Sequence, residues 1–491
     1  MGAAFSKPAL LSARPHATHS PADHLHHNLS SERRRLQHEI AQYLRADPAH
    51  ATSIIRLDNR SGMGRLSAAA DTLFSADASS PFRVRCVGGS ITDGSGSTFD
   101  MPAGGVAQPF PEVLAAELQH MAPHRRPDVQ KYGTSGFGSR YHGSCISSVV
   151  PNGTDLVILD VSLTDMGYMP SRSRNYAGLV STLLDRLHVG TVLTLNWRDH
   201  TQRSTVGDEN ALIAVALSRQ LPSTAVLTVW REMDAIGLTR QDRKHLWAGD
   251  GRHPSYQGHQ LIGKLIASLL LEAVEAPPAP PPPLGVSGRN GSRRSPTIQT
   301  GMDSTCIVGE GLAALAPSVP STADAAHGDT WRWVDESKEG RHRWGFVAHR
   351  RPGANLSLYP SRAGKVLTGS SLGPSALMWL ELGYLQSYGD WGEFTVSCAH
   401  PTLARCTCEA AQPWPCRPSL KPATLADCRR GLEYPRVQSR IERNVSIWGS
   451  TTFMLRGGPS CLTALEVRVT ALAKGKVKVI GLKVHSQSPF F

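Results

Sequence analysis

The chain has 491 residues, a length that predicts two or three domains. A hydrophobic content of 40% supports sizeable cores. The sequence contains no run of 18 or more apolar residues, so no membrane span is predicted. The net charge of +12 does not indicate a nucleic-acid partner, because the basic residues are scattered and no zinc-finger spacing or aromatic-rich RNA-binding signature accompanies them.

Residues 1–80 are rich in His, Ala, Ser and Arg and are predicted to form a largely disordered arm or stem. One helix is predicted within it, over Ser31–Leu44. The first residues fit the myristoylation pattern at Gly2, which indicates a cytosolic protein. The N-terminal sequence has no charged segment followed by a 7–15-residue apolar stretch, so a standard signal peptide is not predicted.

Residues 81–275 alternate between strand and helix patterns. After a first strand from Arg83, near-continuous apolar runs predict strands at Asp155–Val161, Thr191–Asn196 and Ala225–Trp230. Helices are predicted around Phe110–Met121, at Tyr176–Leu187, at Glu209–Leu221 and after Ser255. This alternation predicts an α/β fold with a doubly wound parallel sheet, whose ligands bind outside the carboxyl ends of the strands.

The first strand runs into Gly88-Gly89-Ser90, a turn that places a serine hydroxyl at the end of a strand. Such a position suits a nucleophile, although Gly-Gly-Ser is also ordinary loop sequence. Far downstream, Asp250 and His253 lie three residues apart in one loop ahead of the last helix. A histidine can take the serine proton near neutral pH, and the aspartate can orient the imidazole. A solvated loop histidine is the alternative.

Residues 82–275 resemble the SGNH (GDSL-type) hydrolases, which adopt a flavodoxin-like fold. Gly89-Ser90-Ile91-Thr92 is similar to the first block of that family, in a GGSIT version familiar from eukaryotic and especially algal members. Lys131–Ser139 is similar to the second block and Leu159–Met166 to the third. Asp250-Gly251-Arg252-His253-Pro254 matches the last block.

The resemblance implies roles for these residues. Ser90 would be the nucleophile, His253 the base and Asp250 its orienting carboxylate, with Gly136 as an oxyanion donor and no metal or organic cofactor. The family's oxyanion Asn is replaced by Thr164, whose hydroxyl is expected to stabilise the oxyanion together with the backbone N–H groups of Ser90 and Gly136. The Asn that usually opens the second block is Lys131. The order of the blocks also differs from that of an α/β-hydrolase, which presents G-x-S-x-G on a strained elbow.

Residues 276–300 are predicted to be a Pro-rich linker that begins with a polyproline spacer, APPAPPPP. Residues 301–491 show short alternating strands separated by Gly and Pro, which predicts a Cys-containing all-β domain, most simply a sandwich. Its tryptophans offer either sugar-stacking surfaces or ordinary core aromatics; they are Trp331, Trp333, Trp344, Trp391 and Trp448.

Cysteine and asparagine usage indicate an oxidising compartment. Five of the nine cysteines lie within Cys398–Cys428, a density that favours disulfides over zinc because the close pair Cys406/Cys408 has C-x-C spacing. Six of the nine asparagines begin an N-x-Ser/Thr glycosylation signal; they are Asn28, Asn59, Asn152, Asn290, Asn355 and Asn444. We therefore expect the secretory pathway, in the Golgi lumen or outside the cell, rather than the cytosol.

The sequence predicts a serine esterase acting on O-acyl esters, chiefly O-acetyl groups of glycans, whose partner is an acylated glycan or a small ester. A catalytically weak or inactive glycan-binding protein that keeps the fold is the second hypothesis, supported by the loss of the oxyanion Asn. An O-acyltransferase is the third, and it differs only in whether water or a sugar hydroxyl receives the acyl group.

Overall fold

The computed structural model describes most of the α/β region and much of the C-terminal region. The described residues are 21–46, 60–75, 80–165, 170–197, 224–229, 238–239, 241–275, 304–308, 310–319, 321–322, 331–335, 344–348, 352–362, 378–386, 392–410, 436–438, 447–456, 459–472 and 476–485.

The α/β region contains a five-stranded sheet in the order β2–β1–β3–β4–β5, with every neighbouring pair parallel. The strands are β1 Arg83–Gly88, β2 Asp128–Gly133, β3 Leu156–Asp160, β4 Thr191–Asn196 and β5 Thr224–Thr228. Central strands such as β3 are buried on both faces, as their unbroken apolar sequence predicts. The predicted α/β fold is confirmed.

Helices cover both faces of this sheet. They are α1 Pro21–Leu44, α2 Arg60–Phe74, α3 Ser90–Asp93, α4 Phe110–Met121, α5 Ser139–Cys145, α6 Pro170–Ser181 (continued by a π-helical turn, Thr182–Arg186) and α7 Tyr256–Glu275. Alternate residues of β3 separate two cores: Leu156 and Ile158 pack with α4 and α7, whereas Val157 and Leu159 pack with α6. Within the described ranges, no helix has the length and apolar character needed to cross a bilayer.

Two helices lie inside the segment that the sequence predicted as a largely disordered arm. Helix α1 buries Leu36, Ile40 and Leu44 in the same core as α7, and α2 buries Leu66 and Leu73 there. The apolar residues of α1 recur at a spacing of four, which places them on one helical face despite the polar average composition. The helix predicted over Ser31–Leu44 is present as the C-terminal part of α1, whereas the prediction of a disordered arm is wrong for residues 21–46 and 60–75.

A buried ion network fixes α1 against α4 and α7. The Lys264 ammonium of α7 donates to Glu117 of α4 at 2.5 Å and to Glu39 of α1 at 2.6 Å. Arg35 donates to both of these carboxylates and to Glu32. Lys264 and Glu117 compensate each other between α7 and α4, and docking of α1 adds Glu39 and Arg35 to this pair.

The C-terminal region is built from two sheets. One has the order β10–β16–β12–β14, and the other has the order β13–β15–β11–β17–β9–β8–β7, with β6 paired to β17. The strands are β6 Ser304–Val308, β7 Ser321–Thr322, β8 Arg332–Asp335, β9 Trp344–Ala348, β10 Asn355–Leu358, β11 Met378–Gln386, β12 Glu393–Ala399, β13 Cys408–Ala410, β14 Arg436–Gln438, β15 Ile447–Leu455, β16 Glu466–Ala471 and β17 Val477–His485. A short helix, α8 Glu310–Ala314, follows β6.

The two sheets pack face to face around one core. Tyr384 of β11 meets Phe394 of β12 edge to face, with ring centroids 5.1 Å apart, so the contact joins the two sheets. Among the described strands all pairings here are antiparallel except β7 with β8. The predicted second all-β region is confirmed, and we call it the β-sandwich.

Of the five tryptophans considered for sugar stacking, Trp331 is a core residue and Trp333 is a partly buried residue packed against the core. Trp331 is buried and donates its indole N–H to the Ala354 carbonyl, and Trp333 packs edge to face on Phe346. Trp344 and Trp448 belong to β9 and β15, and the structure does not describe their side chains. Trp391, the predicted helix at Glu209–Leu221 and the predicted linker at 276–300 lie outside the described residues. The domain boundaries at 80/81, 275/276 and 300/301 stay predictions.

Three disulfides connect the described cysteines. Cys398–Cys408 and Cys406–Cys461 lie within the β-sandwich, in the stretch where the sequence predicted a disulfide framework. The third, Cys145–Cys306, joins helix α5 of the α/β region to β6 of the β-sandwich. Cys86 is a free thiol buried in β1, and burial raises the pKa of this thiol.

Asp160, the last residue of β3, holds the turn that follows β1. Its backbone carbonyl accepts the Gly89 N–H at 2.9 Å, and its carboxylate accepts the backbone N–H and the hydroxyl of Thr92 at 3.0 and 3.1 Å. A Cβ at Gly88 would lie 2.4 Å from the Asp160 carbonyl oxygen, so only glycine fits there. Complete burial raises the pKa of Asp160 to about 6 despite these hydrogen bonds.

Replacing Asp160 by Asn should change how stability depends on pH. In the wild type the folded state holds this proton more tightly than the unfolded state, so the contribution of Asp160 to stability falls as pH rises from about 4 to about 6. In Asp160→Asn that loss is absent, and the free energy of unfolding of the variant relative to the wild type should improve by about 2 kcal/mol between pH 4 and pH 7. Denaturant unfolding at several pH values measures this, and a constant difference would contradict the raised pKa.

Candidate active site

Ser90 lies at the first position of α3, directly after the turn that ends β1. Gly89 lets this turn pass close to neighbouring loops, since a Cβ there would lie 3.2 Å from both the Phe137 carbonyl oxygen and the Thr164 methyl group. The backbone of α3 closes through hydrogen bonds from Asp93 to the Gly89 carbonyl and from Ser95 to the Ser90 carbonyl. The turn therefore holds the serine at the carboxyl edge of the sheet.

A continuous hydrogen-bonded chain connects Ser90 to the loop before α7. His253 Nε2 lies 2.8 Å from Ser90 Oγ, although the two residues are 163 positions apart in the chain. His253 Nδ1 lies 2.5 Å from Asp250 Oδ2. With Nδ1 donating to the carboxylate, Nε2 carries the lone pair that faces the hydroxyl. The structure thus brings together the three residues that the sequence predicted as a triad.

Asp250 is held in its ionised form. Partial burial acts to raise its pKa, but the hydrogen bond from His253 and the backbone N–H groups of Arg252 and His253 together hold the pKa of this carboxyl well below its usual range. Its side chain is 48% exposed, whereas that of His253 is 24% exposed. The carboxylate therefore orients the imidazole from a site that is open to solvent.

The loop that carries Asp250 and His253 is fixed by residues that sequence reasoning missed. Trp197, buried just after β4, donates its indole N–H to the Arg252 carbonyl at 3.0 Å and stacks on Trp247 with ring centroids 4.8 Å apart. The Ala248 N–H donates to the His253 carbonyl at 2.8 Å, which closes the loop on itself. A tryptophan directly after a buried strand was the available signal.

A glycine in the loop after α3 also shapes this region. Gly96 has a φ of +92°, and a Cβ there would lie 2.1 Å from the Pro254 carbonyl oxygen and 3.1 Å from His253 Cβ. No larger residue can occupy this position without moving the His253 loop.

Gly136 belongs to a tight turn after β2, and we call residues 134–138 the β2 loop. Gly136 has a φ of +85°, the left-handed conformation that favours glycine. The Thr134 N–H donates to the Gly88 carbonyl at 3.0 Å, and the Phe137 N–H donates to the Thr134 carbonyl at 3.1 Å. These bonds tie the β2 loop to the end of β1, two residues before Ser90.

Thr164 lies beside the same turn but directs its hydroxyl elsewhere. Its Oγ1 donates to the Val161 carbonyl at 3.1 Å, while its methyl group faces Gly89. The neighbouring Asp165 accepts the Ser139 N–H at the start of α5. In this arrangement the hydroxyl of Thr164 is not directed at Ser90 as an oxyanion donor.

Three of the six predicted glycosylation residues lie in the described part of the chain. Asn28, Asn152 and Asn355 are exposed, on α1, in the turn before β3 and on β10 respectively. Asn59, Asn290 and Asn444 are outside the described residues. Across the described part of the chain, no group of three or more His, Cys, Asp or Glu residues is arranged to hold a metal ion.

Comparisons with known proteins identify the α/β region. Residues 86–261 match the model of the GDSL-like Lipase/Acylhydrolase family. No curated protein sequence matches the chain. Among solved structures, the chain is similar to a two-domain esterase (CEX) active on acetylated mannans, with a TM-score of 0.49 and 14% identity over 88% of this chain and 98% of that one.

A second similar structure covers the α/β region alone. It is an acetylxylan esterase, Axe2, from Geobacillus stearothermophilus, with a TM-score of 0.30 and 15% identity over 39% of this chain and 94% of that one. The match of residues 86–261 to the model of GDSL-like lipases and acylhydrolases indicates a serine ester hydrolase.

Proposed function

We propose that Ser90, His253 and Asp250 are the catalytic residues of this esterase and that its substrates are O-acyl esters, chiefly O-acetyl groups on glycans. The observation that carries the proposal is the hydrogen-bonded chain of 2.8 Å and 2.5 Å from the Ser90 hydroxyl through His253 to Asp250. This chain supplies, in order, the nucleophile, the base and the orienting carboxylate that acyl transfer to a serine requires.

The first half of the reaction forms an acyl-enzyme. Ser90 Oγ attacks the ester carbonyl carbon while its proton passes to His253 Nε2, and the carbonyl oxygen becomes an oxyanion. As the tetrahedral intermediate collapses, the C–O bond to the alcohol breaks and His253 gives its proton to the leaving oxygen. Asp250 stabilises the imidazolium that exists between these two proton transfers.

Water completes the reaction. It attacks the acyl carbon while giving a proton to His253, and collapse of the second intermediate releases the carboxylic acid and returns the proton to Ser90. Activation of a sugar hydroxyl instead of water would make the same site an O-acyltransferase, so the acceptor decides between these two activities. Analysis of the products, free carboxylic acid or acylated sugar, measures how much hydrolysis and how much transfer occurs.

Two backbone N–H groups are the proposed oxyanion donors. The N–H of Ser90 is at the start of a helical turn, where the helix itself provides no acceptor. The N–H of Gly136 belongs to the β2 loop, which is hydrogen-bonded to the end of β1. The family's third oxyanion donor is an Asn side chain. Thr164 can replace it only if the Thr164 hydroxyl breaks its hydrogen bond to the Val161 carbonyl.

The openness of the site supports a large alcohol component in the substrate. Asp250 is half-exposed, and the nearby Phe99, whose ring packs against Gly249, is 39% exposed. A glycan can approach such a site without being enclosed. Acetylated mannan and acetylated xylan are the substrates to test first, followed by small acetyl esters as a baseline.

A glycan-binding protein with little catalysis is the second candidate function. The observation that favours it is the hydrogen bond from the Thr164 hydroxyl to the Val161 carbonyl, since it removes one potential oxyanion donor. Under this hypothesis the protein would bind acetylated glycan and leave the acetyl groups in place. Release of acetate from the glycan distinguishes the two functions.

Replacing Ser90 by Ala should abolish turnover without unfolding the protein. The expected fall in kcat with 4-nitrophenyl acetate or acetylated mannan is about 10⁴-fold or more, because the covalent step is lost. A fluorophosphonate probe should label the wild type at Ser90 and leave the variant unlabelled. Ser357→Ala, which removes a hydroxyl bonded to Glu466 in the β-sandwich, is the control and should retain activity. Equal turnover in Ser90→Ala and wild type would refute the nucleophile assignment.

Replacing Thr164 by Asn should raise kcat if the family's third donor position is intact in this chain. We expect an increase of about tenfold, a part of the roughly 10²–10³ that one oxyanion donor can contribute. KM should change little, because the contact forms mainly in the transition state. Thr164→Ala is the matched control: its hydroxyl is already bonded to Val161, so the change in kcat should stay within about threefold. A large loss in Thr164→Ala would instead show that the hydroxyl itself is the donor.

We also propose that the protein is N-glycosylated and folds in the secretory pathway. The three disulfides and the six glycosylation signals support this location. Among the three described signals, all of them exposed, we expect Asn152 to be modified most readily, because it lies in a turn, whereas Asn28 is helical and Asn355 accepts a hydrogen bond from Thr470.

Intact-mass measurement of the protein from a secretory host should show attached glycans and oxidised cysteines. Asn152→Gln should remove one glycan, and Asn152→Asp serves as a second variant without the signal. A native protein that is unglycosylated and fully reduced would contradict the location and would favour the cytosol, with N-myristoylation at Gly2.

A further inference from the structure

The α/β region and the β-sandwich meet beside the β2 loop. Phe137, Tyr141 and Cys145 are buried in one apolar cluster with Ile480 of β17. Cys306 of β6 and Leu385 of β11 pack against the same cluster. Phe137 directly follows Gly136, so the contact with the β-sandwich begins one residue from a proposed oxyanion donor.

A covalent bond reinforces this contact. Cys145, the last residue of α5, is bonded to Cys306 of β6, with 5.2 Å between their Cα atoms. Helix α5 starts at Ser139, immediately after the β2 loop. The disulfide and the apolar cluster therefore hold α5 from its C-terminal end, while the Asp165 carboxylate holds the Ser139 N–H at its start.

Phe137 transmits this constraint to the nucleophile turn. Its ring packs on Tyr141 with centroids 4.1 Å apart. Its N–H donates to Thr134, and its carbonyl oxygen would lie 3.2 Å from a Cβ at Gly89. A shift of the Phe137 ring would thus move the peptide bonded to Gly136 relative to Ser90.

We propose that the β-sandwich is a positioning element for the active site: the Cys145–Cys306 disulfide and Ile480 hold Phe137, and through it the Gly136 N–H, in place to stabilise the oxyanion. This inference rests on the proposed function, because it assigns a role to Gly136 in that reaction. Cys145, Cys306, Ile480 and Phe137 are positioning residues, since none of them is placed against the reacting atoms.

The effect should fall on kcat. Misplacement of a donor by about 1 Å can cost up to roughly 10²-fold in rate, and loosening its support should cost less than that. Since the donor acts mainly on the transition state, KM should stay within about twofold of the wild type. A general loss of folded protein would reduce the fraction of active enzyme, but it would not selectively increase hydrogen–deuterium exchange in the β2 loop.

Two variants of the full chain test the proposal. Cys145→Ser/Cys306→Ser removes the covalent tie, and Ile480→Ala removes the apolar contact. Each should lower kcat by about tenfold with small acetyl esters, measured well below the melting temperature. Each should also increase hydrogen–deuterium exchange in residues 134–142. Ile480→Val, which keeps most of the apolar contact, should restore both values.

Cys398→Ser/Cys408→Ser is the matched control, since it removes a disulfide inside the β-sandwich. It should leave kcat and the exchange of residues 134–142 unchanged. Folded Cys145→Ser/Cys306→Ser and Ile480→Ala proteins with wild-type kcat would overturn the proposal, whatever their exchange. Should the double-cysteine variant fail to fold, Ile480→Ala alone decides.

Failure of the proposed function has a different signature. The wild type would then neither hydrolyse esters nor react with the fluorophosphonate probe. In that case the exchange of residues 134–142 still decides whether the β-sandwich holds the β2 loop. Unchanged exchange in both variants would refute the inference, and faster exchange would support the mechanical part of it.

Discussion

The close approach of β1 and β3 at Gly88 and Asp160 is the constraint on which the site depends. Because Gly88 has no side chain, the backbones of β1 and β3 approach each other more closely than any other residue at this position would allow. The Asp160 carboxylate then accepts a hydrogen bond from the Thr92 N–H. Ser90 lies between these two anchored positions. The hydroxyl is thus carried by a short turn of fixed geometry, while its base and carboxylate come from a loop that is separately braced by Trp197.

Much of this arrangement could be predicted because it follows from local rules. Long apolar runs identify parallel buried strands, and in a parallel sheet all carboxyl ends face the same edge. Residues that follow different strands therefore gather there, which is why Ser90 and His253 could be paired across 163 positions. In the β-sandwich, the alternating polar and apolar sequence of β17 indicates a strand, although Lys478 and Lys483 are buried together with its apolar residues.

What could not be predicted depends on contacts between distant segments. The sequence predicted a helix over Ser31–Leu44, but it did not reveal that the apolar side of this helix packs in the core with α7 or that its charged side chains pair with Lys264. The orientation of the Thr164 hydroxyl depends on the carbonyl of Val161, which sequence spacing does not reveal. Likewise, cysteine counting indicated disulfides but gave no pairing, and it placed no emphasis on Cys145, which lies far from the C-terminal cluster.

The pairing of Cys145 with Cys306 also makes part of the chain a closed covalent ring. The bond joins positions 161 residues apart and encloses β3, β4, β5, the His253 loop and α7. In the chain-entropy model, closing a loop of this size destabilises the unfolded state by about 5 kcal/mol. A single proteolytic cut anywhere between the two cysteines, including one in residues 276–300, would open the ring without releasing the β-sandwich. The two regions would remain one molecule until the bond was reduced, so protein nicked by proteases would still carry its C-terminal region.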